Sequence, residues 1–156
     1  MQLKILWVGK TRNAAVRALC EDYLERVRRF LTCEVVETRE PSRSRALRGP
    51  QLLSAEADEL ERVLPDGCKL IVLDAQGTEE SSPEFARYLE GELNRGTRGL
   101  AIIIGGPEGV DARLRERAQL RLSLGRMTWT HELCRVLLLE QLYRAMCIIR
   151  NIPYHK

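Results

Sequence analysis

The chain has 156 residues, 44% of them hydrophobic and 30% charged, with a formal net charge of +3. That length implies one compact domain, residues 1–156, and that composition excludes a disordered tail protein. No window approaches 18 uninterrupted apolar residues, and the N-terminus lacks the basic and then apolar pattern of a secretory leader. The expectation is a soluble, cytoplasmic domain without a membrane span.

In chain order, residues 2–8 alternate around an apolar run that stops at Gly9, the pattern of a strand. Residues 14–31 place Val16, Leu19, Cys20, Tyr23, Leu24, Val27 and Leu31 at helical spacing. A short strand is expected at 34–37, a polar loop at 39–50 and an amphipathic helix at 51–63. Residues 68–74 (CKLIVLD) are nearly all apolar in their middle, as in a strand covered on both faces. Ser81-Ser82-Pro83-Glu84 then opens a helix that ends near Gly96. A strand at 99–106 runs into glycines. A short helix at 111–118, a strand at 120–124 and a long helix at 131–149 follow, and residues 151–156 form a tail. This alternation predicts an α/β fold, a parallel sheet with flanking helices, whose ligands sit at the carboxyl ends of the strands.

The charge is unevenly made. Of 25 basic residues 21 are arginine, and from Asp111 to Lys156 nine basic residues face four acidic ones, a net +5. Such a surface is compatible with a polyanionic partner, although arginine richness also follows genome composition. The five cysteines form no closely spaced pair, which argues against a zinc ribbon or a disulfide framework and for buried thiols. Two histidines, His131 and His155, are too few for a metal site of the usual spacing, and no metal is expected.

Chemistry has few places to sit. Gly105-Gly106-Pro107-Glu108-Gly109 ends a buried strand, where glycines let a backbone approach a ligand. It lacks both the phosphate-loop and the dinucleotide-binding patterns, and by itself it is equally a tight turn. Residues 123–131 form a second strand-end loop. Met127 and Trp129 offer apolar walls or core packing, and Thr128 or Thr130 is placed to cap the long helix. His131 and Arg135 share one face of that helix, as part of a site or of a solvated first turn. The helix carries a very broad apolar face, for which a second copy of the chain is the economical partner.

Taken together, these motifs and the closing Glu140-Gln141-Leu142-Tyr143-Arg144-Ala145 and Pro153-Tyr154-His155 resemble the RlmH type of ribosomal RNA methyltransferase, of the SPOUT superfamily. The resemblance covers essentially the whole chain, starting with Leu3-Lys4-Ile5-Leu6-Trp7-Val8-Gly9-Lys10. It implies a C-terminal trefoil knot, a homodimer, and S-adenosylmethionine bound in the knot near the subunit interface. The implied reaction is methyl transfer to N3 of a pseudouridine in the helix 69 loop of 23S rRNA, in the large subunit or 70S ribosome. The cofactor contacts it implies are Leu73, Gly105, Leu124, Gly125, Arg126, Met127, Thr128 and Trp129. His131, Arg135, Tyr154 and His155 would face the RNA, with a histidine as base and Arg135 stabilising charge on the base carbonyls. The rival readings are a tRNA methyltransferase of the same superfamily, a non-catalytic ribosome-binding protein, and a flavodoxin-like nucleotide binder.

Overall fold

The computed structural model describes residues 1–41 and 46–154. Part of the polar loop expected at 39–50 and the candidate base His155 lie outside the described residues. Within them, strands and helices alternate: β1 (Gln2–Val8), α1 (Ala14–Arg28), β2 (Thr32–Thr38), α2 (Gly49–Val63), β3 (Lys69–Glu79), α3 (Ser82–Asn94), β4 (Gly99–Ile104), α4 (Ala112–Arg117), β5 (Leu120–Ser123) and α5 (His131–Ile149). The sheet order is β2-β1-β4-β3-β5, and every pairing is parallel.

Strand alternation sorts the apolar side chains into two cores. Leu3, Ile5 and Trp7 of β1 and Leu100, Ile102 and Ile104 of β4 face α1, α3 and α5. Leu6 and Val8, with Ala101 and Ile103, face α2 and α4 through Ala57, Leu60 and Leu114. The central strands are therefore covered on both sides, which is why their sequences read as apolar runs. Each fully buried Leu or Ile contributes about 1.5–3 kcal/mol by leaving water.

Local chemistry sets the helix starts. Ser81 and Glu84 form a reciprocal cap at α3: the Ser81 N–H donates to the Glu84 carboxylate at 2.8 Å, and the Glu84 N–H donates back to the Ser81 hydroxyl at 3.4 Å. Asn13 caps α1 and Thr130 caps α5. The strongest departure from the sequence reading is β3. It continues past Asp74 to Glu79 through an irregularity between Leu73 and Thr78. At Gly77 the backbone runs so close to β5 that a Cβ would lie 2.4 Å from the Arg121 carbonyl oxygen. A polar stretch ending in glycine reads as a loop, yet here the glycine admits a neighbouring strand.

Part of the broad apolar face on α5 is covered within the chain itself. The helix lies between α1 and α3 and against the sheet, so Leu138, Leu139, Leu142, Ala145 and Met146 are buried within one chain. What stays exposed near its start is Leu133, at 43%, with Met127 at 77% and Trp129 at 45% in the preceding loop.

Candidate active site

The carboxyl ends of β3, β4 and β5 enclose a cavity of about 500 Å³. Leu73, Asp74 and Ala75 come from β3, and Ile104 to Pro107 with Gly109 from the end of β4. Leu122 to Gly125 come from β5, Met127 to Thr130 from the next loop, and His131 and Cys134 from α5. Of the eight expected cofactor contacts, Leu73, Gly105, Leu124, Gly125, Met127, Thr128 and Trp129 line this space. Arg126 does not: it is exposed and outside the lining. The strand order reverses here, and such a crevice is where open parallel sheets bind ligands.

Two devices fix its walls. The Ser123 hydroxyl accepts from the Gly125 N–H at 3.3 Å and donates to the Gly125 carbonyl at 3.1 Å, holding a turn in which Gly125 has φ 115°. In the other loop, the Gly109 N–H donates to the Gly106 carbonyl at 3.0 Å. A Cβ on Gly105 would meet the Gly109 oxygen at 2.1 Å, and one on Gly106 would meet Glu56 Oε1 at 2.7 Å. The glycines are therefore required by the folding of the loop on itself and on α2, not by ligand approach alone.

The lining suits a flat ring. Most of the lining is aliphatic, aromatic or backbone. Burial raises the pKa of Asp74, but the Gln76 N–H and the Arg121 guanidinium, 2.7 Å away, bring it below the ordinary carboxylate range. It therefore stands ionised at the cavity wall. Burial, then the charge of Arg135, lowers the pKa of His131, so its imidazole is neutral at pH 7. Burial pushes the Cys134 thiol up, which keeps it protonated.

A larger cavity, about 870 Å³, opens beyond β1 and β2 between Gly9–Arg17, Glu37–Pro41 and α2. Its walls carry charges of both signs, several already paired, such as Arg12 with Glu40 and Arg62 with Glu59. It gathers none of the three strand ends, and the chemistry is assigned to the smaller crevice.

The four expected catalytic residues do not converge in one chain. His131 lines the crevice. Arg135, expected to reach a nucleobase, is 0% exposed. Its guanidinium donates to the Thr11 hydroxyl and the Val8 carbonyl, both at 2.7 Å, and lies over the Trp7 ring. One helical turn from His131, it points into the seam between α5 and the end of β1, so it ties the fold together rather than contacting substrate. Tyr154 belongs to the other end of α5. Its hydroxyl donates to Glu140 at 3.1 Å, and its ring stands edge-on to Tyr143 under Arg144. Burial, the Tyr23 hydroxyl and the Glu140 charge raise its pKa, so it remains a donor. Glu140 lies nine residues beyond His131, about 13 Å along the helix axis.

Sequence reading missed Glu132, which reaches back to accept from the backbone N–H of Arg12 at 2.8 Å and of Asn13 at 3.3 Å. That contact spans more than a hundred positions and has no local signature. Among the described residues, no group of His, Cys, Asp and Glu is arranged to hold a metal ion, and no helix is long and apolar enough to cross a membrane.

The SPOUT methyltransferase family model, described as a predicted SPOUT methyltransferase, matches residues 1–155. The chain belongs to this family. It is 41% identical over 155 residues, 99% of each chain, to the ribosomal RNA large subunit methyltransferase H of Citrifermentans bemidjiense. It is 40% identical over 162 residues, 100% of this chain and 99% of the relative, to the protein of the same name from Roseobacter denitrificans. A probable methyltransferase structure from Bordetella pertussis superimposes with a TM-score of 0.55 at 11% identity, covering 93% of this chain and 96% of that one. That likeness concerns the fold. As a SPOUT methyltransferase the chain uses S-adenosylmethionine, and the crevice fits that donor. It has apolar walls that would hold a purine and strand-end backbone groups that would meet polar edges.

Proposed function

We propose that this SPOUT methyltransferase transfers the methyl group of S-adenosylmethionine to N3 of a pseudouridine in the helix 69 loop of 23S rRNA, acting in the cytoplasm on the assembled large subunit or 70S ribosome. The coarse part of this reading, methylation of large-subunit ribosomal RNA, rests on full-length kinship with relatives of that name at 37–41% identity. The observation that carries the chemistry is the crevice at the ends of β3, β4 and β5, walled by two glycine-bearing loops.

When bound, the donor supplies an activated methyl group on a cationic sulfur. The chain supplies placement and proton handling. Leu73, the Gly105–Gly109 turn, Leu124, Gly125, Met127, Thr128 and Trp129 would hold the donor. N3 of a uracil-type ring carries a proton at neutral pH, which has to leave as the N–C bond forms. His131 is neutral at pH 7 and lines the crevice, which gives it the protonation state of a general base. His155 is the second candidate, carried on the tail that Tyr154 anchors.

The reading includes a homodimer and the knotted threading of the C-terminal segment. Two observations support the dimer. Met127, Trp129 and Leu133 expose apolar surface beside the crevice, and Tyr154 packs on the second half of α5, outside the lining of its own chain's crevice. A partner's tail would complete the site. Light scattering should give twice the 17.9 kDa chain mass.

The deciding experiment is mass spectrometry of the rRNA loop after incubation with this protein and isotope-labelled S-adenosylmethionine. Intact ribosomes, naked rRNA and tRNA serve as parallel substrates. Label on a single pseudouridine, from ribosomes only, is expected. Label on tRNA would move the reading to the tRNA branch of the superfamily. Donor binding without label on any of the three would leave a non-catalytic ribosome-binding protein.

A further inference from the structure

Strand β3 does not run evenly along β5. Leu73 and Thr78 both stand opposite Leu122, so residues 74–77 form a detour between two positions that share one partner. The detour opens on the crevice: Leu73, Asp74 and Ala75 line it. A detour of this kind gives up ladder hydrogen bonds, and it keeps one shape only where other groups pin it.

Asp74 makes the pins. Its Oδ1 accepts from the Gln76 N–H at 2.9 Å, which folds the detour on itself. Its Oδ2 accepts from the Arg121 Nε–H at 2.9 Å, and a terminal nitrogen of the same guanidinium stands 2.7 Å away. Arg115 of α4 approaches that oxygen at 3.9 Å. The ion pair therefore ties the start of the detour to β5, and Gly77 lets its end lie against the Arg121 carbonyl. The Asp74 side chain is 10% exposed, whereas that of Arg121 is 41% exposed and outside the lining of the crevice.

We propose that Asp74 and Arg121 are a positioning pair for donor binding: their ion pair, made from outside the cavity, fixes the Leu73–Ala75 wall against which S-adenosylmethionine binds. This rests on the crevice being the donor site.

Among the described residues, Asp74 is the one carboxylate in the lining, and such a group invites a direct role as a ligand contact. Its partners argue otherwise. One oxygen is held by the backbone of the detour and the other by a side chain of the neighbouring strand. The two roles make opposite demands on Arg121. If Asp74 touched the donor itself, loss of Arg121 would free the carboxylate for that contact and leave binding intact or tighter. If Asp74 holds the wall, loss of Arg121 releases the wall and weakens binding, as loss of Asp74 does. Two residues that act as one unit also give effects that do not add.

The test is a double-mutant cycle read by isothermal titration calorimetry of S-adenosylmethionine into the full-length chain. Wild type, Asp74→Asn, Arg121→Gln and the double variant are compared, with Gly105→Val as the control that closes the crevice. Asp74→Asn keeps an acceptor for the Gln76 N–H and removes only the charge. A partly exposed pair couples modestly, so each single variant is expected to weaken binding about fivefold. The double variant is expected to be no weaker than either single one, where independent effects would give about 25-fold. Arg121→Lys, which keeps a cation for Asp74, should recover most of the loss. In turnover on ribosomes, Arg121→Gln should raise the donor KM and spare kcat.

If Asp74→Asn weakens binding and Arg121→Gln does not, Asp74 contacts the donor and the positioning role is overturned. Additive losses, or a loss confined to kcat, overturn it as well. If Gly105→Val abolishes binding while neither single variant changes it, the proposal falls and the crevice reading stands. If Gly105→Val also binds like wild type, both fall. Should Asp74→Asn not fold, Arg121→Gln against Arg121→Lys decides.

Discussion

The two ends of α5 are built on different principles. Its first turn joins a crevice at the strand ends, in which the glycine loops are fixed by Ser123 and Glu108. Its second half carries a side-chain hub, in which Glu140 receives Arg144 and the Tyr154 hydroxyl while Tyr23 and Tyr143 pack around them. The first end lines the candidate site with residues of one chain. The second anchors a tail against the chain's own helix, away from that site.

The largest expected effect strikes the first end. Gly105→Val sets a branched side chain where even a Cβ is 2.1 Å from the Gly109 oxygen and 2.7 Å from Val110 Cγ2. The loop cannot close, and donor affinity should fall by more than about a hundredfold in calorimetry, with the far-ultraviolet spectrum kept. Wild-type affinity would mean that the loop does not shape the crevice.

Arg135→Ala comes next and belongs to neither end, because this arginine joins α5 to β1 from inside the fold. Loss of a fully buried, twice-bonded guanidinium should lower unfolding free energy by about 3 kcal/mol in urea titrations. It also removes a charge that lowers the His131 pKa. If neutral His131 is the base, turnover declines as pH falls through its pKa. In the milder Arg135→Met that acidic limb should move to higher pH. An unmoved limb would take His131 out of proton transfer.

His155→Ala should leave donor binding unchanged and lower turnover on ribosomes on the order of a hundredfold. Mixing it with Gly105→Val separates cis from trans. The first variant has an intact crevice and the second an intact tail. If tails act across the dimer, an equal mixture should recover about a quarter of wild-type activity by random pairing. No recovery on mixing exchanged dimers would place the tail over its own crevice.

How much of this was legible in the sequence follows from the range of each interaction. The strands, the helices and the α3 cap are governed by neighbours within a few residues, and their patterns survive in the string. Leu73, Gly105 and Leu124 were legible through a rule about strand ends, which needs only element order. Arg135 was not. Its four-residue spacing from His131 suggested a shared surface, but its partners are Thr11 and Val8, more than 120 positions away. Glu56 was also invisible, since a glutamate in an amphipathic helix reads as solvated until Gly106 is seen against it. The extension of β3 was hidden because Gly77 is required by Arg121 of another strand.

The smallest effect sharpens the second end. Tyr154→Phe removes one hydroxyl that donates to Glu140 at 3.1 Å and leaves the ring edge-on to Tyr143, 4.6 Å between centroids. Glu140 keeps Arg144, so no buried charge is stranded. A half-buried hydrogen bond to a carboxylate contributes about 1 kcal/mol, and the melting temperature should drop by about 3 °C. Donor affinity should not change, because Tyr154 does not line the crevice, whose nearest helix residue, Cys134, is about 9 Å from Glu140 along α5. Turnover should fall a few-fold, since His155 follows directly on a residue that has lost its tether. Stability lost with turnover intact would make the hub a structural clasp only, and would leave His131 as the remaining candidate for the base.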